Sequence, residues 1–241
     1  MNDHLSISQK LHEDLADVIA NAEHGQRLPS EPKLARELGV SRATLREAMR
    51  TFETRGVLRR KQGSGTYVVH PPEVIESGLE VLESINTLAS KIDLPVSLGE
   101  WNVENRLPSS EEAEALDMQG YERVISVSRS ILAEDRPIAY LIDVLPEDVL
   151  APDEVDPHFS GSVLDLLLER GAPTLLSART EINAVTAPRE IARCLGIQTG
   201  DVLMFFKAFL FTDQRRVVDY SFSYFLPGYF RFHVVRRVGG L

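Results

Sequence analysis

Leu28-Pro29-Ser30-Glu31, followed by Leu38-Gly39-Val40-Ser41-Arg42-Ala43-Thr44-Leu45-Arg46-Glu47-Ala48, reads as two short helices joined by a turn. Ser30 is placed to cap a helix whose apolar side is Leu34, Ala35 and Leu38, Gly39 to end it in the left-handed conformation, and Ser41 to cap the next helix. Leu45, Ala48, Met49 and Phe52 recur at helical spacing and predict the buried side of that second helix. Arg46 and Arg50 then point away from the core, while Arg42 and Thr44 fall in its first turn, the part of a recognition helix that meets base edges. The pattern predicts a helix-turn-helix shaped to enter the major groove of DNA.

Upstream, Ile7, Leu11, Leu15, Val18, Ile19 and Ala22 share one helical stripe, which predicts a first helix packed across the pair. Downstream of Gly56, the segment from Val57 to Val69 predicts two short strands around a Gly63-Ser64-Gly65 tip, approached by Arg59, Arg60 and Lys61. Glycines there permit positive φ and let the backbone approach a sugar-phosphate chain, so the hairpin is expected to act as a wing. His70-Pro71-Pro72 can neither continue a strand nor begin a helix. The expected organisation is therefore a DNA-binding domain over 1–70, a linker over 71–74 and a second domain over 75–241.

The formal net charge of −10 argues against a nucleic-acid partner until it is divided along the chain. Residues 1–70 hold 11 basic and 9 acidic side chains, and the stretch 33–61 holds nine basic against three acidic. That local excess creates the positive field that phosphates require. One cysteine, Cys194, excludes an intrachain disulfide and fits a reducing cytoplasm; its neighbours Ile191 and Leu195 predict a buried thiol. No apolar run reaches the ~18–20 residues that span a bilayer, and Met1-Asn2-Asp3-His4 lacks the features of a signal peptide, so no membrane partner is expected.

In the second part, Val74, Ile75, Leu79, Leu82, Ile85, Leu88 and Ala89 form a stripe that predicts a helix ending near Lys91, with Glu76, Glu80 and Glu83 on its exposed side. From Trp101, expected in the core, strands dominate, with helices over Ser109–Met118, Ser162–Arg170 and Pro188–Leu195. Val124–Ala133 and Ile138–Leu145 flank Glu134-Asp135-Arg136 as a hairpin, and Val202–Phe211 and Val217–Phe225 flank Thr212-Asp213-Gln214 as another. The fold class is α+β with an antiparallel sheet.

Leu-Pro-Ser-Glu, then Gly-Val-Ser-Arg-x-Thr-Leu-Arg-Glu-Ala, then Gly-x-Leu and Gly-x-Gly-Thr-x-Val resemble, over residues 7–69, the winged helix-turn-helix domain of GntR-type bacterial regulators. The remainder resembles the HutC-type subfamily, whose effector domain, UTRA, has a chorismate-lyase-like fold. Its markers are Ser128-Arg129-Ser130-Ile131-Leu132-Ala133-Glu134-Asp135-Arg136-Pro137-Ile138-Ala139, then Leu195-Gly196-Ile197-Gln198-Thr199-Gly200-Asp201-Val202-Leu203, and Tyr229-Phe230-Arg231-Phe232. The resemblance implies DNA contacts at Ser41, Arg42, Thr44 and Arg46 and, in the wing, at Gln62 and Gly63. Pro32 stands where the family carries a basic residue, with Lys33 next to it. In sugar-phosphate-responsive members two arginines separated by one residue begin the effector strand and a carboxylate follows on the partner strand; here Arg129 is kept, while Ile131 and Leu141 take the other places. Ser162 matches a phosphate-binding serine, and Leu164 replaces an aromatic residue two positions on.

Arg129 shares its side of an alternating strand with Ile125, Val127 and Ile131. An arginine on an apolar face is ion-paired, with Asp143 across the hairpin as one candidate, or snorkels to solvent, or forks onto a ligand anion aided by amides at the Gly161-Ser162 helix start. Asp219 and Phe222 lie where relatives line the effector pocket, yet Tyr220, Phe222 and Tyr224 share one parity and equally suit a core face. His158 and His233 are isolated and show no metal-ligand spacing. The expected protein is a non-enzymatic, ligand-responsive repressor without a cofactor. It binds a twofold-symmetric double-stranded operator as a homodimer, through Lys33, Ser41, Arg42, Thr44, Arg46, Arg50, Lys61, Gln62 and Gly63. A small anionic effector meets Arg129, Ser162, Ile131, Leu141, Asp219 and Phe222. Retained lyase chemistry and a protein-docking winged helix are the alternatives, but no nucleophile-base constellation is legible.

Overall fold

The structure, a computed structural model, describes residues 7–61, 64–69, 74–155 and 159–236. It divides into two compact units, one of Met1–Val74 with Pro227–Tyr229 and one of Ile75–Leu226 with Phe230–Leu241. The prolines at 71 and 72, read as a linker, and His158 lie outside the described residues.

In the first unit, α1 (Ile7–Ala20), α2 (Glu31–Glu37) and α3 (Arg42–Thr54) precede a hairpin of β1 (Leu58–Lys61) and β2 (Gly65–Val68). Their apolar stripes meet in one core: Leu11, Leu15 and Ile19 of α1, Leu34 and Ala35 of α2, and Leu45, Ala48, Met49 and Phe52 of α3, with Leu28, Leu58 and Val68. Gly39 has φ +66°, and the Val40 N–H donates to the Ala35 carbonyl at 3.0 Å, which ends α2 in the left-handed stop. Ser41 caps α3, its Oγ accepting the Thr44 N–H at 3.1 Å. Ser30 stands at the N-cap of α2 without a side-chain capping bond. A cap needs a free N–H two or three positions on; Pro32 has none, and the Lys33 N–H donates to the Ser30 carbonyl at 2.8 Å. The segment before α2 adds to the wing, since the Gly25 N–H donates to the Val68 carbonyl and the Leu28 N–H to the Thr66 carbonyl, both at 2.8 Å.

The second unit comprises β3 (Ile75–Gly78), α4 (Ile85–Ser90), β4 (Val96–Arg106), α5 (Ser110–Ala115), β5 (Val124–Ala133), β6 (Arg136–Pro146), α6 (Val163–Arg170), β7 (Leu175–Thr186), α7 (Arg189–Leu195), β8 (Val202–Thr212), β9 (Val217–Phe225) and β10 (Phe230–His233). Six strands form an antiparallel sheet in the order β4-β5-β6-β9-β8-β7. Glu134 and Asp135 both take positive φ and close the β5–β6 hairpin as a two-residue turn. One side of the sheet packs Val144, Tyr220, Ile142 and Phe222 against Leu116, Ala115 and Met118 around the end of α5. The other packs Ile125, Val127 and Leu145 against Val163 and Leu167 of α6.

The helix expected from Val74 to Lys91 is not formed. Ile75–Gly78 is a strand, paired in parallel with Phe230–His233, and the helix begins only at Ile85, capped by Ser84. The apolar spacing there satisfied a helical period, but a partner strand far along the chain supplies ladder hydrogen bonds to β3, and Val81 and Leu82 are exposed. Trp101, expected in the core, is exposed on the edge strand β4, next to a register irregularity. Cys194 is half-buried rather than fully enclosed, although Ile191 and Leu195 beside it are buried.

Candidate DNA-reading surface and effector cavity

The surface of α3 opposite the core presents Arg42, Thr44 and Arg46, all exposed. Among the described residues Arg42 makes no ion pair, so its guanidinium is available at the start of the helix, where the Thr44 hydroxyl lies 2.8 Å from that of Ser41. Arg46 is held: its Nε donates to Glu31 at 2.6 Å, and Arg60 of β1 pairs with the same carboxylate. Glu31 thus ties the recognition helix to the wing from the first turn of α2, a role that the sequence reading missed although Glu31 belongs to the motif quoted at the outset. Arg50 is half-buried and pairs with the exposed Glu47 at 3.2 Å. Lys33 is 61% exposed and 3.7 Å from Glu37, free to swing to a phosphate. Lys61 closes β1 opposite Gly65, and Gln62 and Gly63 lie outside the described residues.

In the second unit a cavity of about 760 Å³ lies on the α6 side of the sheet. Arg129, Ile131, Leu141, Ser162 and Asp219 all line it, as do Asp143, Phe206, Ser221 and Ser223. Phe222 does not. Side chains alternate along β9, so Asp219, Ser221 and Ser223 face the cavity, whereas Phe222 points to the opposite side and meets Tyr220 and Phe205. The core-face alternative for the Tyr220-Phe222 parity is the one realised there.

Arg129 is 3% exposed and ion-paired with Asp143. Its Nε donates to the Gly161 carbonyl at 2.7 Å and its Nη1 to the Val127 carbonyl at 3.3 Å. Gly161 has φ +92°, a conformation that side-chain-bearing residues rarely adopt, and it turns that carbonyl toward the guanidinium. Ser162 caps α6, its Oγ accepting the Asp165 N–H at 3.0 Å, while the Asp165 carboxylate accepts the Ser84 hydroxyl at 2.7 Å. The guanidinium and the helix start expected to meet an anion thus each have a carboxylate beside them. Asp143 already neutralises the guanidinium, and Asp165 brings negative charge to the helix terminus. Asp219 completes a buried cluster with Arg129 and Asp143. Burial and the adjacent Asp143 carboxylate push its carboxyl well above the usual carboxylate range, and its Oδ1 has no hydrogen-bond partner among the described residues.

Among the described residues no group of three His, Cys, Asp or Glu side chains is arranged to hold a metal ion, and no helix is long and apolar enough to cross a membrane.

A winged helix-turn-helix followed by a six-stranded effector sheet invites comparison with known proteins. The description "Bacterial regulatory proteins, gntR family" matches residues 5–68, and "UTRA domain" matches residues 101–231. The chain belongs to the gntR family. Its gntR-then-UTRA order is that of the HutC type, as the resemblance implied, and the family is one of transcriptional regulators rather than enzymes. The chain is 29% identical over 224 residues to the HTH-type transcriptional repressor NagR of Bacillus subtilis, covering 91% of this chain and 90% of that one. It is 31% identical over 178 residues to the histidine utilization repressor of Pseudomonas putida, covering 73% and 69%. The crystal structure of PhnF from Mycobacterium smegmatis superposes with a TM-score of 0.62 at 17% identity, over 95% of this chain and all of that one, and shows the shared fold.

Proposed function

We propose that this gntR-family regulator is a repressor that acts in the cytoplasm as a homodimer on a twofold-symmetric operator, and that a small molecule in the UTRA cavity modulates its grip on DNA. Residues 1–70 serve as the DNA-binding part, 71–74 as the linker and 75–241 as the effector-binding part. The observation that carries the reading is the exposed face of α3, where Arg42, Thr44 and Arg46 stand opposite a buried apolar stripe. Ser41 serves by capping that helix, Lys33 and Lys61 by phosphate contact, Gln62 and Gly63 by bringing the wing tip to the backbone, and Arg50 through its pair with Glu47. The names of the relatives, repressors in Bacillus subtilis and Pseudomonas putida, support repression over activation.

A dimer is proposed because one short helix reads few base pairs, and paired half-sites supply the rest of the affinity and specificity. Arg129, Ile131, Leu141, Ser162 and Asp219 line the proposed effector site. Selection of the full chain against random duplex DNA tests the reading. Enrichment of a twofold-symmetric motif, lost in Arg42→Ala, is the expected result; no enrichment at low salt, or an asymmetric single half-site at saturation, overturns it.

A further inference from the structure

Carboxyl groups outnumber basic side chains around the cavity. Among its lining residues Arg129 is the one basic side chain, facing Asp143, Asp219, Glu80 and Glu83. Lys91 neutralises Glu83 at 2.6 Å, the Val235 N–H donates to Glu80, and Asp143 takes the guanidinium of Arg129. Asp219 has no basic partner of its own; it shares a hydrogen bond with Asp143. It is 6% exposed, lines the cavity, and leaves Oδ1 unsatisfied among the described residues. A buried acceptor without a donor is costly, and a ligand that brings the donor recovers that cost. Ser221 and Ser223 lie on the same side of β9 and make no side-chain hydrogen bond among the described residues, so each presents a hydroxyl that can accept from or donate to a ligand. Ile131, Leu141, Phe206 and Phe225 supply apolar walls around it.

Resting on the reading of this cavity as the effector site, we propose that it takes a small organic cation with an apolar body, a protonated amine or amidine whose N–H groups bond the Asp143–Asp219 carboxylates. An anion is disfavoured by the same geometry: it would have to draw Arg129 away from Asp143 and leave two carboxyl groups buried together. The proton balance follows. Asp219 holds its proton to higher pH than an exposed aspartate, because it is buried and faces Asp143. An arriving cation favours the ionised carboxylate, so the complex forms with the proton of Asp219 leaving to buffer, and affinity rises with pH until Asp219 is ionised without ligand. The charged groups facing this titration are Asp143 of β6, Arg129 of β5 and, after β3, Glu80 and Glu83.

Calorimetry on the full chain with matched probes, benzylammonium against benzoate and hexylammonium against hexanoate, in two buffers of unlike ionisation enthalpy, tests the assignment. Expected are ammonium affinities about tenfold or more above those of the carboxylates, with proton release, and in Asp219→Asn an about tenfold loss of ammonium affinity with proton release abolished. Should Asp219→Asn not fold, the buffer dependence of the unsubstituted chain decides. Tighter binding of the carboxylates, ammonium binding without proton release, or no ammonium binding at millimolar concentration overturns the proposal. A chain that enriches a twofold DNA motif but ignores the ammonium probes loses only the cation assignment, and one that binds the probes but enriches no DNA loses only the regulator reading.

Discussion

Arg46 on the recognition helix keeps 53% of its side chain exposed while it pairs with Glu31, whereas the side chain of Arg129 in the effector sheet is 4% exposed beside Asp143. Both are arginine–carboxylate pairs, but water decides what each can do. An exposed pair contributes little to stability and exchanges easily for a phosphate or a base edge. A buried pair has already lost its hydration, so neither partner can leave without stranding the other. The first arrangement suits a group meant to change partners, and the second suits a fixed floor beneath a cavity.

Asp143→Ala should show the largest effect of any substitution at these two pairs, a loss of about 3–5 kcal/mol in equilibrium denaturation, since it strands the buried Arg129 charge. A loss under about 1 kcal/mol would place the pair energetically with those on the surface. Arg46→Ala sharpens the comparison from the other side. Discrimination between the selected operator and random DNA should fall by about 1–3 kcal/mol, read by competition binding. Lys61→Ala should instead weaken binding to all sequences and lower the log-log salt slope by about one.

Within the DNA-binding unit, Ser41→Ala should cost about 1 kcal/mol in thermal or urea unfolding because it removes the cap of α3. Ser30→Ala, which removes no side-chain cap, should stay within about 0.5 kcal/mol of the parent. Equal losses in the two would mean that the capping bond of Ser41 contributes nothing. Glu31→Gln should likewise stay small, under about 1 kcal/mol in stability, because its arginine partners are exposed. An effect of several kcal/mol there would erase the distinction between exposed and buried pairs.

The first unit was legible because its signals sit close together along the chain. Gly39 and Ser41 punctuate helices whose apolar stripes recur within a few residues, and the hairpin joins neighbours such as Arg60 and Thr66. Ser30 failed as a cap through an equally local cause, the missing N–H of Pro32. In the effector unit the hairpins β5–β6 and β8–β9 were readable for the same reason. The strand at Ile75–Gly78 was not, because its partner begins at Phe230 and the intervening apolar spacing imitates a helix. Phe222 was misplaced for want of knowing which side of β9 faces the cavity; the alternation was visible, but its direction was not.

By itself, the sequence determined the winged helix-turn-helix, the α+β class of the effector part and the arginine face of α3, since helical period, capping and turn chemistry act over one or two turns of chain. Only the tertiary structure decided which charged groups meet at the cavity. Asp143 reaches Arg129 through the pairing of β5 with β6, Asp165 guards the helix start through Ser84, and Asp219 arrives on β9 from much later in the chain. Strand register and burial, which bring those groups together and strip their water, are set by contacts between distant segments and leave no periodic trace in the sequence.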